Sequence, residues 1–321
     1  CDKWTGPPRQ AALSPPPGPR DKVRGPDAEI PMPSLAFIAD VHHGRDVMTK
    51  KSSLGLPLLA EVRQEIERRG PDLVIDLGDR ISDEGHDADL ALEAEVAEAF
   101  RAFDRPVMHL NGNHDRDFLS VAENARLLGQ PLDHRALDLD GWRVLLWRAD
   151  SHIHRRPEGS SFRLAEGDLD WLADQLRALD RPAVIATHVP LSGQSMRSNY
   201  YFHHNAGVAA YPETEAIQAV LRGCRQPLVC VAGHVHWNTA TFVDGILHLT
   251  LQSLTESFAD EGEAAGAWGW LDLDRDLRWT AHGRQPFRVE TPVAGLARRW
   301  PEPHPDFAEL RRRRTADAAG A

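Results

Sequence analysis

The sequence predicts an α/β domain, a mixed β-sheet sandwich flanked by helices, on three observations. Short continuous apolar runs, each ending in an aspartate, asparagine or histidine, recur at Leu35–Asp40, Leu73–Asp79, Val107–Asn113, Val184–His188 and Leu228–His234. Runs of this length bounded by turn signals suit buried strands. Between them apolar residues recur at helical spacing. Two Asp-Gly dipeptides between strand-like segments mark hairpins, so part of the sheet is antiparallel.

Taken in order, the first strand delivers Asp40, and Leu58, Val62 and Ile66 then repeat at i, i+4, i+8 on one helix face. The second strand delivers Asp79 and is followed by a helix marked by Leu92, Val96 and Phe100; the third delivers Asn113. Leu139-Asp140-Gly141-Trp142 is a hairpin leading into a strand over Val144–Ala149, and Leu169, Leu172 and Leu176 mark another helix. Strands ending at His188 and His234 follow, with a second hairpin at Val243-Asp244-Gly245-Ile246. Strands alternating with helices indicate βαβ units. Ligands of open α/β sheets collect beyond the carboxyl ends of the strands, so blocks far apart in sequence converge on one rim.

Five such blocks hold the chemistry: Asp40-Val-His42, Gly78-Asp79, Gly112-Asn113-His114-Asp115, His188 and Gly233-His234-Val-His236. They supply seven oxygen or nitrogen ligands and one additional histidine. That is the inventory of a two-metal hydrolytic site, whose cations, about 3.5–4 Å apart, clamp the attacking and leaving oxygens. Carboxylate, imidazole and a single amide oxygen suit manganese, iron or zinc better than calcium. Each block alone is common; their order, each at a strand end, carries the expectation.

In that order, over roughly residues 34–288, the blocks resemble the calcineurin-like metallophosphoesterase family, and in pattern its bacterial class III, cyclic-nucleotide type phosphodiesterases. The resemblance implies a four-layer αββα fold and hydrolysis of a phosphate ester by a hydroxide bridging two divalent metals. A phosphodiesterase acting on a small nucleotide-like or other diester is favoured. A phosphomonoesterase or nucleotide pyrophosphatase with the same metals is the alternative, and a non-catalytic scaffold stands behind both. By the same resemblance Asp40, His42 and His236 hold one metal, Asn113, His188 and His234 hold the other, and Asp79 bridges them. His114 would face the phosphate and stabilise or protonate the leaving oxygen, with Asp115 orienting its ring. Protein Ser/Thr phosphatases of the family carry Gly-Asp-x-Val-Asp-Arg-Gly and Gly-Asn-His-Glu. Here the second block reads Gly78-Asp79-Arg80-Ile81-Ser82-Asp83 and the third ends in Asp115, which argues against that branch. Purple acid phosphatases place a tyrosine where this chain has Ser82.

Candidates for substrate contact are Arg80 and Arg116, each next to a site carboxylate, and Arg45 in the loop after the first ligands. That loop also holds Lys50 and Lys51, two of the four lysines in the chain. Tyr200 and His203 lie in the segment 196–205, dense in groups that stack on a nucleobase or another flat leaving group. His152 and His154 follow the Val144–Ala149 strand and share a side. His43 is a further contact or supports His42, and His109, inside a strand, reads as a core histidine.

Composition bounds the rest. Lys+Arg of 37 against Asp+Glu of 48 gives 37 − 48 = −11, a field that repels long polyanions. The resemblance implies a small-molecule phosphate ester as partner, and the acidic balance argues against duplex nucleic acid; an oligomer is compatible with the sequence. No run approaches the ~20 apolar residues of a membrane span. Three cysteines, Cys1, Cys224 and Cys230, make no disulfide framework, so a reduced, cytoplasmic setting is the simpler expectation. Residues 1–33 form a Pro/Gly-rich tail, read either as an extension upstream of a start at Met32 or as the tether of a lipoprotein anchored through Cys1. The domain is expected over 34–288, and 289–321 as a C-terminal tail with a short helix carrying the solvated run Arg311–Arg314.

Overall fold

The apolar runs become the inner strands of two sheets. The computed structural model of the protein describes residues 32–157, 159–301, 304 and 306–312. Cys1 and the Pro-rich segment to Pro31 lie outside the described residues, as do Arg313 and Arg314. The elements are β1 (Ser34–Ile38), α1 (Gly55–Arg69), β2 (Leu73–Asp76), α2 (His86–Arg101), β3 (Val107–His109), α3 (His114–Asp117), α4 (Val121–Leu128), β4 (Arg135–Leu139) and β5 (Trp142–Leu146). They continue with β6 (His154–Arg156), β7 (Gly159–Ser161), α5 (Asp168–Arg177), β8 (Ala183–Thr187), α6 (Thr214–Gly223), β9 (Leu228–Ala232), β10 (Thr239–Val243) and β11 (Ile246–Thr250). The last strands are β12 (Trp268–Leu273), β13 (Asp276–His282) and β14 (Phe287–Pro292).

One sheet has the order β14-β13-β12-β1-β2-β3 and the other β10-β11-β9-β8-β5-β4, with β6 and β7 a separate hairpin. Both are mixed. In the first, β1, β2 and β3 are parallel, and β12 to β14 add on antiparallel. In the second, β5, β8, β9 and β11 are parallel between antiparallel edges β4 and β10.

Alternation along each strand sorts the side chains into layers. Phe37, Ile75 and Leu77 meet Val144, Val184, Val229 and Leu249 between the sheets. Ile38 and Val74 face outward onto Leu59, Val62 and Ile66 of α1 and Val96 and Phe100 of α2. Leu145, Ile185 and Cys230 face the other way, onto Leu172 and Leu176 of α5 and Ile217 and Leu221 of α6. The helical stripes read from the sequence are thus the faces that cover the sandwich, in the order helix, sheet, sheet, helix. Each such fully buried aliphatic side chain contributes roughly 1.5–3 kcal/mol.

Both Asp-Gly hairpins form. Asp140 and Gly141 have φ of 37° and 86°, and Asp244 and Gly245 have 54° and 79°. Positive φ at both central residues is the primed turn whose twist matches that of the paired strands. The sheet, however, runs past the boundary expected at residue 288. β14 continues to Pro292 paired with β13, and Val293 and Leu296 of the following turn join the inter-sheet core. Residues 307–312 are helical. Among the described residues no helix is long and apolar enough to cross a membrane.

Candidate metal centre

The parallel strands of both sheets deliver their carboxyl ends to one rim, and the backbone there is strained in a consistent way. Asp40, His42, Asp79, His234 and His236 all have positive φ, of 54°, 46°, 54°, 69° and 53°. Left-handed backbone at a residue other than glycine costs on the order of 1 kcal/mol or more and persists where the surroundings over-determine it. Here they do. The Asp40 amide donates to Gly78 O at 3.0 Å, the His42 amide to Asp79 O at 2.9 Å, and the His234 amide to Asp40 Oδ1 at 3.0 Å. Two motif glycines are required by close approach. A Cβ on Gly78 would lie 2.3 Å from Gly112 N, and one on Gly112 would lie 2.1 Å from Asp79 Oδ1.

The seven expected ligands come together. Asp40, His42, Asp79 and His236 place one ligating atom each within 4.8 Å of one another, and Asp79, His188 and His234 do the same. Asp79 is common to both groups. Asn113 Oδ1 lies 3.4 Å from His188 Nε2, which puts the amide oxygen at the second group. All seven residues are buried.

Hydrogen bonding decides which imidazole nitrogen each histidine presents. His188 Nδ1 donates to Leu77 O at 2.8 Å, leaving Nε2 for the cluster. His234 Nε2 donates to Val208 O at 2.8 Å, leaving Nδ1. His236 Nδ1 is 2.8 Å from Glu256 Oε2, leaving Nε2. His42 Nε2 and His236 Nε2 face each other at 3.0 Å, while His42 Nδ1 is buried without a partner among the described residues. Lone pairs of buried imidazoles converging beside carboxylates form a donor set that fits two divalent cations.

The electrostatics agree. Burial would raise the Asp79 carboxyl, but His188 and His114 hold it well below the usual carboxylate range. Burial would lower His188, yet the adjacent Asp79 carboxylate lifts it to about 9; His236, with Asp40 and Glu256, also rises to about 9. His234 is pushed down to about 3 by burial and by the neighbouring His188. The pocket attracts positive charge.

The surrounding residues depart from expectation. His114 lies at the cluster, its amide bonded to Asp79 Oδ1 at 2.8 Å, but its ring Nδ1 pairs with Asp83, not Asp115. Asp115 points the other way and accepts from the amides of Asp79, Arg80 and Gly112 at 2.9, 2.8 and 2.8 Å. Arg80 is fully buried among Asp76, Glu93 and Asp115, so it does not reach substrate. Its positive charge is consumed by the fold. Arg116 turns to Asp150 and to Leu119 O.

Arg45 lies in solvent, its side chain 77% exposed, near Glu84. Tyr200, 54% exposed, stacks on Phe258, and His203 Nδ1 accepts the Ser198 amide in a separate hollow. His43 pairs with Glu95, His152 Nδ1 contacts Arg116 O, and His109 packs on Phe100 beside Asp76.

A cleft of about 290 Å³ opens over the cluster, lined by Asp79, Asn113, His114, His234 and His236 together with Lys50, Asp83, Asp117, Ile153, Arg155, Tyr201, Phe202, Asn205 and Val208. The aromatic segment therefore contributes Tyr201 and Phe202, not Tyr200 and His203. Tyr201 packs edge-on against His236, with ring centroids 5.4 Å apart, and Phe202 packs on His234 at 4.9 Å.

Residues 33–238, well over half of the chain, match the calcineurin-like phosphoesterase family model. The chain belongs to the calcineurin-like phosphoesterase family. Among solved structures it is similar to a dimetal phosphatase from Danio rerio, with a TM-score of 0.62 and 20% identity over 81% of this chain and 99% of that one. It is also similar to a purple acid phosphatase from yellow lupin (Lupinus luteus) seeds, with a TM-score of 0.57 and 13% identity over 86% of this chain and 57% of that one. At these identities the likeness is one of fold. No curated protein matches the sequence.

For a phosphoesterase of this family, Glu256 is the supporting residue that sequence reading missed. It sits in an irregular loop without a motif, yet one oxygen fixes His236 Nδ1 while the other accepts the Ser257 and Phe258 amides. Partners of this kind orient a metal-bound histidine, and their loss typically costs 10–100-fold in metal affinity. Glu256→Gln is expected to weaken manganese binding by roughly 10-fold or more, read by metal titration, with the fold retained by circular dichroism.

Proposed function

We propose that the protein is a binuclear metal-dependent phosphodiesterase acting on a small diester whose second substituent is flat or apolar. The charge of the cleft wall carries this reading. Beyond the metal ligands and His114, the charged groups lining it are Lys50, Arg155, Asp83 and Asp117, two positive and two negative. The remaining wall is largely Ile153, Tyr201, Phe202 and Val208. Arg155 is paired with Asp117, which leaves Lys50 to meet one phosphoryl charge; a monoanionic diester suits such a wall, and the second negative charge of a monoester meets no further cation there.

Asp40, His42 and His236 would hold one metal and Asn113, His188 and His234 the other, with Asp79 between them. Bound there, the cations would lower the pKa of a water and neutralise phosphoryl charge. The protein's own groups do the rest. Asp83 engages His114 Nδ1, so Nε2 is the atom left to give a proton to the departing oxygen. Tyr201 and Phe202 exclude water from one side and offer a surface to the leaving group.

The test is turnover of bis-p-nitrophenyl phosphate against p-nitrophenyl phosphate by manganese-loaded protein. A higher kcat/KM on the diester is expected, abolished by chelation and restored by manganese. A monoester preference would replace this reading with a phosphomonoesterase. No turnover on either, with two metals bound, would overturn hydrolysis of simple esters altogether.

A further inference from the structure

Lys50 is the unusual cation of the cleft. Its residue is only 7% exposed, yet it lines the cleft over the metal-ligand cluster. The other charged donors nearby are spoken for: Arg80 by Asp76, Glu93 and Asp115, and Arg155 by both oxygens of Asp117. Among the described residues, no hydrogen bond or ion pair engages the Lys50 ammonium. Burial draws its pKa down, and the more distant charges of Asp79, Asp83, Glu256 and Asp40 only partly offset this. A desolvated charge without a partner is costly and is relieved by an anion that enters its site.

The backbone around Lys50 is fixed in place. Lys50 N donates to Val47 O at 2.9 Å, and Lys51 N to Thr255 O at 2.9 Å. A bridge pairs Lys50 with Glu256, the residue that orients His236. Thr49 Oγ1 meets the Tyr201 hydroxyl at 2.8 Å, and Ser257 Oγ donates to Thr49 O. The ammonium is thus carried on a loop that holds one aromatic wall and is bridged to the segment whose Glu256 fixes His236. A group held this way loses little freedom when substrate arrives.

We propose that Lys50 is the substrate-anion contact of this site, its ammonium donating to a non-bridging phosphoryl oxygen and thereby setting the acceptance of a single negative charge. This rests on the phosphodiesterase reading above and names the residue that selects the phosphate. Neighbouring Arg45 and Lys51 take no part, since neither lines the cleft.

The experiment compares Lys50→Met, Lys50→Gln and Lys50→Arg in the manganese-loaded full chain. It follows kcat and KM on bis-p-nitrophenyl phosphate, binding of inorganic phosphate by calorimetry, manganese stoichiometry and Tm. Lys50→Met is expected to lose roughly 10- to 100-fold in kcat/KM, the size of a hydrogen bond to a charged group. Phosphate affinity should fall in parallel, with two manganese ions still bound and Tm not lowered, and Lys50→Arg should recover part of both losses. If Lys50→Met fails to fold, Lys50→Gln carries the comparison. Wild-type kcat/KM and phosphate affinity in the neutral variants would overturn the proposal. If the wild type cleaves neither ester but binds phosphate, and the neutral variants bind it more weakly, the anion contact stands and the phosphodiesterase reading falls.

Discussion

Arg80→Leu is expected to destabilise the protein by about 3–5 kcal/mol, the usual cost of removing one partner from a buried ion pair. The guanidinium is fully buried, with Nε 2.7 Å from Glu93, Nη1 2.9 Å from Asp76 and Nη2 3.3 Å from Asp115. Even beside this cation, burial pushes Glu93 up to about 8 and Asp115 up to about 6. Leucine would leave these carboxyls without a counter-charge. The damage would also reach the metal centre, because Asp115 holds the amides of Asp79 and Gly112. A lower urea midpoint with unchanged slope is the expected reading. Arg80→Lys should fall between, since lysine restores the charge without the fork.

The same cluster has a definite pH signature. The folded pKa of Glu93 lies above the unfolded value of about 4.3. Its contribution to stability is therefore complete below that value and is lost as pH rises toward about 8. Glu93→Gln should flatten that stretch of the stability profile. A loss under 1 kcal/mol in Arg80→Leu would show that water or rearrangement satisfies the carboxyls.

His114→Ala is expected to lose roughly 10²–10⁴-fold in kcat, the range of general acid–base assistance, while still binding two metals. Its ring stands edge-on to His42 with centroids 4.8 Å apart, and its nearest carboxylate partner is Asp83. Asp83→Asn should therefore lower kcat by about 10-fold, acting through the position of the ring. Asp115→Asn should act mainly on folding and metal content, because Asp115 serves backbone amides and Arg80. Equal kinetic losses in the Asp83 and Asp115 variants, with folding intact, would contradict this division. Loss of metal in His114→Ala would instead make His114 a ligand.

Much of the centre was legible before the fold was known. Asp40, His42, Asp79, Asn113, His188, His234 and His236 were expected at strand ends, and the strands deliver them to one rim. The stripes Leu58–Val62–Ile66 and Leu92–Val96–Phe100 marked helices that cover a sheet, although Leu58 and Leu92 lie at the margin of the buried face. The end of the domain was less legible. Phe287, Val289 and Thr291 alternate with exposed Arg288, Glu290 and Pro292, a short period-2 signal in Pro-rich surroundings that belongs to β14.

The cleft wall was legible only in part. Arg80, Arg116, Arg45, Tyr200 and His203 were reasonable candidates by proximity in sequence, and the structure places each away from the cleft. Lys50 shared a loop with Arg45 and Lys51, and only tertiary packing separates the buried lysine from the exposed Arg45 and the half-buried Lys51. Tyr201 and Tyr200 differ by one residue, which in an irregular segment decides between the cleft and solvent.

By itself, the sequence determined the family and which candidate ligands are available, in what order, and that they follow strand ends. Ligating a metal demands particular side chains, and a strand end fixes their place, so local pattern carries that information. The tertiary structure alone decided which charges are consumed by the fold and which remain for a substrate. Asp115 and Arg80 are 35 residues apart, and His42 and His236 are 194 apart. Periodicity tells a side chain which face of its own element it occupies. Whether a carboxylate, a cation or open cleft waits opposite depends on segments brought together only by folding.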